Sequence, residues 1–92
     1  MNELGDTKLP RGLSPETAWR WCLRDCIADL DRSAARNRLM SQPVLERLFT
    51  RRWNRLARRC QPVPAPRERA RLEALGRALM RQAQHDAAGR SA

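Results

Sequence analysis

PVLERLFTRRWNRLARRC, residues Pro43–Cys60, decides how the chain is read. Leu45, Phe49, Trp53, Leu56 and Cys60 follow one another at steps of four, four, three and four, the spacing of one buried helical stripe. Arg47, Arg51, Arg55 and Arg58 fall on the opposite face, and Arg52 and Arg59 flank that face beside Leu48. From Arg47 to Arg59 there are six arginines and no acid. A single segment thus offers both a core stripe and a candidate binding face.

Working outward, the same helical logic governs both sides. Upstream, Ser14 can accept from the free N–H groups of a first turn, Pro15 sits where its missing N–H costs nothing, and Glu16 suits the positive helix end. A first helix is therefore predicted from Pro15 to about Arg38, with Trp19, Cys22, Leu23, Cys26, Ile27, Leu30 and Ala34 on one face. Ser41 followed by Pro43 reads as a stop and restart. Downstream, Pro62, Pro64 and Pro66 end the second helix near Cys60 and make a short linker. A third helix is predicted from about Pro66 to about His85, with Leu72, Leu75, Gly76, Leu79 and Ala83 on one face. Gly76 there costs about 1 kcal/mol against Ala and suits close helix approach.

The remaining ends show no period. Residues 1–13 read as a flexible arm and residues 87–92 as a disordered tail, leaving 14–86 as one helical domain. No segment alternates in the manner of a strand. The fold class expected is all-α, a small three-helix bundle. Its core is expected to hold Trp19, Leu23, Ile27, Leu30, Leu45, Phe49, Trp53, Leu56, Leu72, Leu75 and Leu79.

Composition limits the classes of function. The chain has 92 residues, a formal net charge of +9, 41% hydrophobic residues and a mean hydropathy of −0.75. That is too apolar for a disordered polyelectrolyte and too polar for a membrane protein. No apolar run approaches the ~18–20 residues of a membrane span, and no signal peptide is visible, so a cytoplasmic protein is expected. One histidine (His85), no tyrosine and four scattered glycines leave no phosphate loop, HExxH or GxSxG motif. The expectation is a non-enzymatic protein with no cofactor and no small-molecule substrate.

The charge is not evenly spread. Residues 41–60 carry +5 of the +9. Abundant arginine with Lys8 as the single lysine fits a GC-rich codon supply, yet codon supply does not strip a helix of acids. Arginine's planar fork donates two parallel hydrogen bonds to phosphate oxygens. The function expected is therefore a nucleic-acid-binding module that grips the phosphate backbone, DNA or RNA, through Arg47, Arg51, Arg52, Arg55, Arg58 and Arg59, alone or as a subunit of a larger nucleoprotein complex. The alternative is an interaction regulator or assembly subunit that docks its arginine face, with Trp21 and Arg24, on an acidic protein or a second copy. A helix-turn-helix does not fit the proline linker, and RNP aromatics and Cys/His fingers are absent. An anionic membrane surface is a lesser reading, because the second helix needs its apolar face for the core.

Three cysteines and one outlying tryptophan complete the reading. Cys22, Cys26 and Cys60 are expected to pack in the core as reduced thiols with no metal, since CxxxC within a helix is not zinc-ligand spacing. Trp21 lies off the first helix's apolar stripe. It is read either as a partner surface or as packed under the arm around Leu4, Leu9 and Leu13.

Overall fold

The computed structural model describes residues 12–91. It contains three helices: α1 (Pro15–Ala35), α2 (Gln42–Ala57) and α3 (Pro66–Ser91). Each packs against both of the others, making the all-α three-helix bundle expected. Most of the arm, residues 1–11, lies outside the described residues.

The helix starts follow the local chemistry. Ser14 Oγ accepts from the Thr17 backbone N–H at 3.2 Å, and Pro15 opens α1. α2 starts at Gln42 behind Ser41, which has extended backbone geometry, with Pro43 in the first turn. The ends differ from the sequence reading. α1 stops at Ala35 instead of Arg38 because Asn37 takes φ 58°. Arg38 N–H then donates to Ser33 O at 2.8 Å and Asn37 N–H to Ala34 O at 3.0 Å, the paired bonds of a Schellman cap. α2 ends at Ala57 instead of Cys60. The Gln61 N–H leaves the helix ladder and donates to Leu13 O at 2.9 Å, docking the base of the arm on the linker. α3 runs past His85 to Ser91, so residues 87–91 continue the helix where a disordered tail was expected. Ala87 is buried there, and nothing before Gly89 breaks the pattern.

The core forms around Trp19, Cys22, Cys26, Leu30, Leu45, Phe49, Trp53, Leu56, Leu72 and Met80. Leu23 and Ile27 are half-buried at its edge. Leu75 and Leu79 are not core residues: they stay 43% and 37% exposed. α3 instead buries Leu72, Gly76, Met80 and Ala87, with Ala83 half-buried, at steps of four, four, three and four. Gly76 sets this phase. A Cβ there would lie 2.0 Å from Phe49 Cζ, so the ring seats directly on the α3 backbone and only glycine admits it.

Two indoles fix the height of α3 in the bundle. Trp19 Nε1 donates to Leu72 O at 2.7 Å, and Trp53 Nε1 donates to Arg69 O at 3.2 Å. Buried indoles need such a partner, and both find it on one turn of α3.

Candidate nucleic-acid interface

α2 distributes its polar side chains by the direction each one faces. Toward α1 lies Arg52, which is 34% exposed and donates through Nη2 to Asp29 Oδ2 at 2.6 Å and through Nη1 to Cys26 Sγ at 3.5 Å. Burial works against its charge, but the bonds to Asp29 and Cys26 outweigh burial and hold the guanidinium protonated. Asp29 also takes Arg32. Arg52 thus also ties α1 to α2, a role its place in the expected binding face did not indicate. Its acid partner comes from another helix, 23 residues away.

Toward α3 lie Glu46, Thr50 and Asn54. Glu46 Oε2 accepts from Gln42 Nε2 at 2.9 Å and Arg81 Nη1 at 3.2 Å. These bonds, the Gln42 bond foremost, hold its carboxyl below the usual range although burial opposes them. Arg77 Nη1 reaches Thr50 Oγ1 at 3.4 Å and Glu73 Oε2 at 2.8 Å. Arg69 Nη2 donates to Asn54 Oδ1 at 2.7 Å.

Between these flanks, facing solvent, run Arg47, Arg51, Arg55 and Arg58, all exposed, with Arg59 exposed just past the helix end. Arg58 Nε bonds Asn54 O at 3.3 Å, which lays its stem along the helix. Glu46, the single acid of residues 41–60, is turned away from this ridge and occupied by Arg81. From Arg47 to Arg58 the ridge rises about 16 Å. The expected face therefore has Arg52 half-buried and paired on the α1 side, with its other five arginines exposed.

The ridge has a neighbour that the sequence reading missed. A shallow groove of about 600 Å³ runs between α2 and α3, lined by Pro43, Glu46, Arg47, Thr50, Arg51, Asn54 and Arg77. The missing signal is a tertiary one. Arg77 comes from α3, and pairing it with Glu73 at i,i+4 accounts for it within its own helix.

Trp21 and Arg24 stand elsewhere, on the outer side of α1. The Arg24 guanidinium sits 5.6 Å from the Trp21 ring centroid, and the indole is half-buried. Of the arm residues read as its cover, Leu4 and Leu9 lie outside the described residues, while Leu13 packs on the core.

The thiols are all free and buried. Cys22 Sγ has Phe49 O at 3.7 Å. The neighbouring Cys26 thiol and burial raise its pKa. The nearby Cys22 thiol lowers the Cys26 pKa against burial, helped by the Arg52 charge. Cys60 bonds Leu56 O at 3.4 Å and is pushed up by burial. Among the described residues no group of three or more His, Cys, Asp or Glu side chains is placed to hold a metal ion. No helix among them is long and apolar enough to cross a membrane.

Compared with family models, curated proteins and solved structures, the chain matches none.

Proposed function

We propose that this protein binds the phosphate backbone of nucleic acid through the α2 ridge of Arg47, Arg51, Arg55 and Arg58, with Arg59 at its flank. The observation that carries the reading is the separation of signs on α2. Five arginines face solvent, while Glu46 is bonded on the α3 flank. A helix face used only for solvation gains nothing from excluding acids. A phosphate track does gain, because every carboxylate on it repels the ligand. Over the ridge's length, about 16 Å, one DNA strand presents about five phosphates.

The reading predicts binding without sequence preference and with steep salt dependence. Every phosphate that a variant leaves unneutralised flattens the plot of log K against log salt by about 0.9 for duplex or 0.7 for single strands. Replacing Arg47, Arg51, Arg55 and Arg58 together by Gln keeps helix propensity. That variant is expected to fold normally and to lose most of its affinity for every oligonucleotide alike. A wild-type protein that binds neither DNA nor RNA at low salt sinks the reading. An acidic protein surface, the other candidate for the same ridge, then becomes the partner to test.

A further inference from the structure

Resting on the phosphate-backbone reading, we propose that the groove between α2 and α3 is a phosphate-oxygen site, built by Thr50, Asn54 and Arg77 beside Arg47 and Arg51. The argument is one of hydrogen-bond polarity. Arginine has donors and no acceptor, so the 2.7 Å bond from Arg69 Nη2 orients Asn54 with Oδ1 toward Arg69 and the amide Nδ2 left to donate. Arg77 Nη1 likewise donates to the Thr50 oxygen at 3.4 Å, and the Thr50 hydroxyl keeps its own hydrogen as a donor. Arg77 engages both Thr50 and Glu73 through Nη1, and its other nitrogens remain as donors. Glu46, the one carboxylate in the lining, is already bridged by Gln42 and Arg81.

The polar part of the lining carries three arginines against one acid, with the Asn54 amide and the Thr50 hydroxyl as further donors. A base edge or a peptide presents donors as well as acceptors and fits such a wall poorly. A phosphodiester presents acceptor oxygens and negative charge, and fits it well. No aromatic side chain lines the groove, so a base gains no stacking platform there. The ligand chemistry is the backbone itself, and α3 becomes the second wall of the site with α2.

The test is Asn54→Asp. Aspartate keeps an oxygen for Arg69, so the α2–α3 tie survives, but the groove donor becomes an anion. Fluorescence anisotropy with a labelled 20-mer, as duplex and as single strand, reads the effect. Losing a hydrogen bond to a charged group predicts about tenfold weaker binding or more. Thr50→Val, which keeps shape and removes the hydroxyl, is expected to weaken binding by about threefold to tenfold. Thermal melts confirm that both variants are folded, and Thr50→Val carries the test alone where Asn54→Asp does not fold. A loss confined to the duplex makes the duplex backbone the source of the phosphates, a loss confined to the single strand makes it the single strand, and an equal loss on both probes makes the site one for the backbone of either form. If both variants bind as wild type while the fourfold Gln change abolishes binding, the groove proposal is overturned and the ridge reading stands. If the wild type binds neither oligonucleotide, an NMR titration with inorganic pyrophosphate separates the two. Movement of the Asn54 side-chain amide keeps the groove as an anion site and ends the polymer reading, whereas no movement ends both.

Discussion

Gly76→Ala sets two magnitudes against each other. On an open helix surface the change stabilises by about 1 kcal/mol, because alanine is the better helix former. At position 76 the added Cβ would stand 2.0, 2.2 and 2.8 Å from three carbons of the Phe49 ring. Ordinary carbon contact is about 3.5–4.0 Å. The ring would have to retreat by roughly 1.5 Å, the difference between those separations. Phe49 is wholly buried on the central stripe of α2 and has no open side to retreat to. Overpacking of a tight core costs about 1–3 kcal/mol, and a displacement of this size belongs at the upper end. After the propensity gain is subtracted, a net loss of about 2 kcal/mol remains, or a fall in Tm of about 8–16 °C for a domain this small. Circular dichroism melts and urea titrations measure it. Gly89→Ala is the internal control, since a Cβ there meets nothing within 4 Å. It is expected to hold or slightly raise Tm. A Gly76→Ala protein as stable as the wild type would show that Phe49 does not seat on α3 and that the α3 phase described above is wrong.

Trp53→Ala removes a wholly buried indole and its bond to Arg69 O. A loss of about 3–5 kcal/mol is expected, enough to unfold most of the population, with a urea midpoint as the check. Glu46 has its carboxyl depressed by the bonds from Gln42 and Arg81. Its stability contribution is therefore present above the unfolded value of about 4.3 and is lost as pH falls through the lower folded value. Glu46→Gln is expected to flatten that part of the acid limb by less than about 1 kcal/mol, read as urea midpoints between pH 2.5 and 6; an unchanged acid limb refutes the assignment.

α1 and α2 were legible because their signals are local. Ser14-Pro15 states a helix start, and the α2 stripe has a single phase that buries its aromatics. α3 offered two phases that share Leu72: one through Leu75 and Leu79, the other through Gly76, Met80 and Ala87. Side-chain hydrophobicity favours the first. Backbone approach favours the second, because the Phe49 ring occupies the volume that a Cβ at 76 would fill. That volume belongs to another helix, and no window of the α3 sequence contains it. The α1 terminus was missed for a subtler reason: Asn37 accepts the left-handed turn that a search for Gly or Pro overlooks. In the proposed binding face, Arg47, Arg51, Arg55, Arg58 and Arg59 follow from helical geometry alone. Arg52 does not, since its burial depends on Asp29 arriving from α1. The α2–α3 groove is invisible in sequence for the same reason, as its second wall is a different helix.

The indole bonds to α3 also give the molecule built-in optical reporters. Trp19 and Trp53 emit from inside the core, each hydrogen-bonded to a carbonyl of α3, while Trp21 emits from beneath an arginine on the outer side of α1. Lifting α3 away exposes two of the three fluorophores to water and breaks both bonds, even with α1 and α2 still wound. Emission colour therefore follows α3 docking, and far-ultraviolet ellipticity follows the helices themselves. Coincident curves mark a bundle that lets go of its third helix only when everything else melts. Curves that part, with the emission shifting first, mark a detachable α3 that leaves a helical hairpin behind.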